Sequence, residues 1–172
     1  MPARVCCVGR CGMGDFAMGA LDDRIADDLV IREASTPEDF ARATALIEGY
    51  SEDQPHEDDS RRYAGCPGSQ RVHWVAELDG EILGCASVVY DRSRVWVSAM
   101  VVDPAFRGLG VGTMLMAWTE HLGKINRLSH VTVPCFRYSD AGKICEHWGM
   151  ERSPNPMISQ DGRQADLWLR WL

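Results

Sequence analysis

The sequence predicts a mixed α/β domain whose central sheet is mostly antiparallel and is flanked by helices. Three observations carry this prediction. Asp79-Gly80 stands between two β-rich runs, "RVHWVAEL" and "EILGCASVVY", and Asp-Gly in that setting marks a two-residue hairpin. A third run, "RVWVSAMVV", follows the turn at Asp91 to Ser93, so three strands succeed one another as a meander. Beyond it Val111, Met114, Leu115, Trp118 and Leu122 recur with the period of one helix face.

Taken from the start, residues 1 to 28 read as an extension ahead of a domain spanning 29 to 172. The extension holds glycines at 9, 12, 14 and 19, three cysteines and an acidic "DDRIADD", with helical spacing of Phe16, Ala17, Ala20, Leu21 and Ile25. "LVIRE", 29 to 33, reads as a strand. Ser35 or Thr36 then caps a helix that starts at Pro37 and runs to about Glu48, with Glu38 and Asp39 placed to favour its dipole. Residues 49 to 70 are rich in Gly, Pro, Ser and acid, the composition of a long loop. After the meander and the helix, which Gly123 is expected to terminate, "HVTVPCF" reads as a strand. "SDAGKICEHW" is a short helix capped by Ser139 or Asp140, and "ADLWLRWL" a last strand.

The chain has 172 residues, 45% of them hydrophobic and 25% charged, which suits one soluble domain burying about 70% of its extended surface. No apolar run approaches the roughly 20 residues of a membrane span, and no secretory signal is legible, so a cytoplasmic protein is expected. Seven cysteines, an odd number without regular spacing, point to reduced thiols rather than a disulfide framework. Cys6, Cys7 and Cys11 lack metal-like pairing, and no metal site is expected. A net charge of −7 argues against binding along a nucleic-acid backbone and suits a cationic or amine-bearing partner.

The chemistry gathers at "FRGLGVG", 106 to 112, where a strand passes into a helix. The first N–H groups of a helix lack internal partners, and its dipole favours an anion there. Gly108, Gly110 and Gly112 remove the Cβ atoms that would hold a phosphate off those groups, and Arg107 adds a cation at the rim. A nucleoside triphosphate loop would end in Gly-Lys-Ser/Thr, whereas this one ends Gly112-Thr113; a dinucleotide loop would sit between parallel strands rather than after a meander. "GMGDFA", 12 to 17, with Glu33 downstream, is a second glycine pattern, but the strand before it would be only "VCCV".

"VVDPAFRGLGVG", 101 to 112, resembles the signature of the GNAT superfamily of N-acetyltransferases, an Arg/Gln-x-x-Gly-x-Gly/Ala loop after a Val-x-Pro turn. The resemblance covers roughly 29 to 172, including "IREASTPEDF", the Asp-Gly hairpin and the later "WGM" stretch. It implies a GNAT-like acyl-CoA N-acyltransferase fold and acetyl-CoA as co-substrate. In the family the loop holds the pyrophosphate of acetyl-CoA, which would fall to Arg107, Gly108, Leu109, Gly110, Val111, Gly112 and Thr113. Met100, Val101 and Val102 would face pantetheine and the thioester, with a backbone N–H near Val101 or Val102 as oxyanion donor. The implied acceptor is a primary amine on a small molecule, protein or peptide; exposed strand edges make a homodimer the alternative to a monomer.

Acyl transfer needs a neutral amine, a stabilised oxyanion and a proton for the leaving thiolate. The family's usual tyrosine acid is replaced here by Cys145 in "ICEHWGM"; a thiol and a coenzyme A thiolate have comparable proton affinities, and a packed cysteine is the alternative. Tyr138 stands where the family often has an asparagine against the pantetheine arm, and offers a second hydroxyl acid. Strand alternation puts Trp96, Ser98 and Met100 on the face from which relatives project a base; Ser98 there can hold only a water. The acidic loop with Glu52, Asp53, His56, Glu57, Asp58 and Asp59 is either an attractor for a cationic amine or a solvated loop. His121, His130 and His147 read as surface or core residues. With acid altered and base missing, a non-catalytic acyl-CoA-binding module on the same fold is the alternative function.

Overall fold

The structure, a computed structural model, describes residues 22, 25, 28 to 50, 54, 55 and 68 to 172. The glycine pattern at 12 to 17, the cysteines at 6, 7 and 11 and the acidic stretch around His56 lie outside the described residues. The elements are β1 (Val30–Glu33), α1 (Pro37–Tyr50), β2 (Gln70–Leu78), β3 (Glu81–Tyr90) and β4 (Arg94–Val102). A single 3₁₀ turn (Pro104–Phe106) then leads into α2 (Val111–Ile125), β5 (His130–Phe136), α3 (Asp140–His147), β6 (Glu151–Arg152), β7 (Met157–Ile158) and β8 (Gln164–Trp171).

The strands form one sheet in the order β1-β2-β3-β4-β5-β8-β6, with β7 also on β8. Every described pairing is antiparallel except β4 with β5. The β2–β3 turn is left-handed at both Asp79 (φ 51°) and Gly80 (φ 81°), the geometry that fits a two-residue hairpin to strand twist.

Helix α1 covers one face of the sheet, burying Ala43 and Leu46 against Val75, Ile82, Cys85 and Val101. Helix α2 covers the other: Val111, Met114 and Leu115 pack on Ile31, Ala76 and Ala86, while Met116 and Leu122 pack on Val88, Val95, Val97 and Val131. Gly123 does not end α2. It lies inside the helix, where an added Cβ would run into Leu172 Cδ1 and sit 3.3 Å from Val95 Cγ2, so close packing explains this glycine.

Two described residues ahead of position 29 touch the domain. Ile25 is buried with Leu29, Met114 and Leu115, and the Asp22 N–H donates to the Leu109 carbonyl at 3.1 Å. Among the described residues no helix is long and apolar enough to cross a membrane, and no group of His, Cys, Asp and Glu is placed to hold a metal ion.

Candidate active site

β4 and β5 pair only from Arg94 to Trp96, opposite His130 to Thr132. Past that point they part, and β4 runs on to Val102 with one edge free of any strand among the described residues. The Asp103 N–H returns to the Leu83 carbonyl on β3 at 2.8 Å. Because backbone groups alternate sides along a strand, Val101 likewise faces β3 and cannot donate into the opening, while Met100 and Val102 face the free edge. The partners agree: the Met100 N–H donates to Gln54 Oε1 at 2.9 Å, and the Val102 carbonyl accepts from Arg107 Nε at 3.1 Å.

β4 also carries a bulge. Ser87 pairs with Ala99 but Val88 pairs with Val97, so Ser98 is the extra residue. Val97 and Met100 therefore both lie on the α2 face, with two residues between them instead of one. This corrects the expected common face for Trp96, Ser98 and Met100: Trp96 packs with Phe136 and Met157, and Met100 packs against the α2 side.

The opening is a cleft of about 820 Å³. Its walls bring together Met100, Val101, Val102, Arg107, Gly108, Gly110, Val111, Gly112, Thr113 and Cys145 from the sequence reading, and add Tyr50, Gln54, Cys135 and Trp148. Leu109, Ser98 and Tyr138 are not in the lining. Ser98 is buried with a hydroxyl that meets no partner among the described residues, and Tyr138 is 95% exposed on a left-handed backbone (φ 67°) at the β5–α3 corner.

The glycines have distinct tasks. Gly108 (φ 81°) and Gly110 (φ 90°) hold left-handed backbone that side-chain-bearing residues rarely adopt. Gly110 is the N-cap of α2, and among the described residues no side chain caps that end, so the first amides of the helix border the cleft without a competing carboxylate or hydroxyl from those residues. A Cβ on Gly108 would meet nothing within 4 Å, while one on Gly112 would touch Val102 Cγ2 at 3.6 Å and Trp148 Cζ2 at 3.8 Å. Among the described residues the mouth thus fits a diphosphate: uncapped amides, open space beside Gly108 and one guanidinium. Arg107 stays at the rim, its guanidinium 5.9 Å from the Tyr50 ring centroid.

Below the loop, Asp103 accepts from the Ala105 N–H at 3.0 Å and from Arg42 at 3.1 Å, tying the turn to α1. Across the cleft, Trp148 Nε1 donates to Thr113 Oγ1 at 3.3 Å, so that hydroxyl already serves to join α2 to the end of α3. Cys145 is buried, and its sulfur lies 3.7 Å from that of Cys135 on β5. β4 brings no carboxylate to the cleft; among the described residues the lining also includes Asp140, which pairs with Lys143 at 2.7 Å, and His147.

Residues 38–141 match the model of the acetyltransferase (GNAT) family. No curated protein matches the sequence. The fold is similar to that of Ard1 from Thermoplasma volcanium, with a TM-score of 0.66 and 20% identity over 84% of this chain and 98% of that one. It is also similar to the Salmonella typhimurium acetyl transferase that modifies the N-terminal serine of ribosomal protein L7/L12, with a TM-score of 0.64 and 12% identity over 84% of this chain and 95% of that one. A GNAT family acetyltransferase from Elizabethkingia anophelis, solved with acetyl-CoA bound, gives a TM-score of 0.53 and 16% identity over 83% of this chain and 96% of that one. At these identities the likeness is one of fold.

Proposed function

Because the chain belongs to the GNAT acetyltransferase family, we propose that it is an N-acetyltransferase, moving an acetyl group from acetyl-CoA directly to a primary amine while both are bound. The observation that carries the reading is the cleft between parted β4 and β5, which ends on the uncapped N-terminus of α2. Residues 29 to 172 form the acetyltransferase unit.

Acetyl-CoA supplies, when bound, an activated thioester. The chain's own residues bind and orient it. The amides after Gly110, with Gly108 giving them room and Arg107 at the rim, hold the diphosphate. The free edge of β4 at Val102 and Met100 lines the arm, and the Met100 N–H is the backbone donor for an acyl oxygen. Of the three side chains considered for proton chemistry, Cys145 is the one in the cleft wall; with Cys135 as its partner it holds the proton that a leaving thiolate takes.

Thiol release from acetyl-CoA, followed with polyamines, aminoglycosides, amino acids and peptides with free N-termini, tests this function and identifies the acceptor. A second reading is favoured by one feature: Ser98 to Val102 include no base. A non-catalytic acyl-CoA-binding module would give heat with coenzyme A in calorimetry and no thiol release with any amine.

A further inference from the structure

We infer that Gln54 is a specificity-determining residue of the cleft: its side-chain carbonyl holds the backbone donor that an acyl carbonyl requires, so it sets how strongly the protein separates an acyl thioester from a ligand lacking that carbonyl. The inference rests on the reading of the cleft as an acyl-CoA site.

The free edge of β4 is unusual in how it is satisfied. Its Met100 N–H is met by Gln54 Oε1, from 46 positions away, and its Val102 carbonyl by Arg107 Nε. One acceptor and one donor, both from side chains, thus sit where a strand or an amide-bearing ligand would place its own groups. Arg107 belongs to the cradle loop itself, and its bond merely fixes the rim. Gln54 comes from outside every element of the site and reaches into the cleft wall.

The placement along the edge selects which carbonyl competes with it. The diphosphate cradle is at the α2 end, next to Val102, and Met100 lies two residues further, toward the point where β4 rejoins β5 at Trp96. An arm laid along this edge from the cradle therefore reaches Val102 first and Met100 last, so the group that arrives at Met100 is the reactive end. A carboxamide and a thioester each present one neutral carbonyl oxygen to one N–H. Exchanging them moves no charge into or out of the cleft, and the exchange responds to small differences in hydrogen bonding. A ligand ending in a plain thioether gains nothing at Met100 and leaves Gln54 in place.

Calorimetry on the full chain tests this with two probes of equal length, acetyl-CoA and S-ethyl-CoA, against wild type, Gln54→Leu and Gln54→Ala. Leucine keeps bulk without an acceptor, and alanine removes both. The expected result is that both substitutions raise the preference for acetyl-CoA over S-ethyl-CoA at least threefold. An unchanged preference overturns the role of Gln54 while leaving the cleft reading intact. Equal tightening toward both probes reduces Gln54 to a space filler and overturns it as well. Failure of wild type to bind either probe removes the acyl-CoA reading together with this inference.

Discussion

Gly110 turns left-handed one step before α2 and leaves the amides beyond it uncapped, so one residue decides both the shape and the charge preference of the cradle. A side chain at φ 90° is strained by about 1–3 kcal/mol, and it would stand at the N-cap of the helix whose amides are proposed to hold the diphosphate. Gly110→Ala is expected to lower the melting temperature and weaken coenzyme A binding at least tenfold by calorimetry. Gly112→Ala, whose methyl would find ordinary contacts with Val102 and Trp148, should do much less. Cys145 calls for a different measurement, since its role is proposed for turnover and not for binding. With an accepting amine found, Cys145→Ala is expected to reduce kcat at least tenfold at an unchanged coenzyme A Kd. Cys145→Ser should not restore the rate, because an aliphatic hydroxyl is a far weaker acid than a thiol and does not readily protonate a thiolate. Unchanged kcat in both variants would leave the thiol a packing residue.

Among the elements, the start of α1 shows how a short motif anchors a helix that borders the site. Thr36 Oγ1 accepts from the Asp39 N–H at 3.1 Å, and Asp39 Oδ2 accepts in return from the Ser35 and Thr36 N–H groups at 2.8 and 3.0 Å. Arg32 on β1 grips both oxygens of the same carboxylate at 2.7 Å. The Arg32 guanidinium, helped by the two backbone amides, holds the Asp39 carboxyl well below the usual carboxylate range. A depressed carboxyl stabilises the fold above its unfolded pKa and loses that contribution as the pH falls through the folded value. Wild type is therefore expected to lose stability progressively below about pH 4. Asp39→Asn should be less stable at pH 7 by about 2–4 kcal/mol and show a flatter acid limb in urea titrations. Thr36, Pro37 and Asp39 were legible as a helix start because capping is local, whereas Arg32 was not legible as a partner because it belongs to another element. The bulge at Ser98 was hidden for a related reason. "VWVSAMVV" is apolar on both faces, so alternation carries no phase from which a reversal could be read. Gly123 looked like a stop only because its true neighbour, Leu172, lies at the far end of the chain.

For the molecule as a whole, the sheet is two antiparallel units, β1 to β4 and β5 with β6 to β8, joined edge to edge by the short parallel ladder from Arg94 to Trp96. The meander could be read from the chain because an Asp-Gly turn joins neighbouring strands. The parallel ladder could not, since it depends on α2 carrying the chain across the sheet. The candidate site divides in the same way. The loop from Val101 to Thr113 is contiguous and was found, while Tyr50, Gln54, Cys135 and Trp148 enter the cleft from four other places and carry no shared signal. A ligand bound along the parting touches both units, contacting β4 and α2 on one side and β5 and α3 on the other, so binding should resist their separation. At a coenzyme A concentration of 100 times Kd, linkage adds about 2.7 kcal/mol to unfolding. For a chain of this size that raises the melting temperature by about 5–10 °C. Hydrogen exchange should slow in the same experiment at the first amides of α2, the donors placed for the diphosphate. Gly110→Ala at the same ligand concentration should abolish most of the thermal shift. A full shift in that variant, or none in wild type, would mean that coenzyme A does not bridge the parted strands through the α2 terminus.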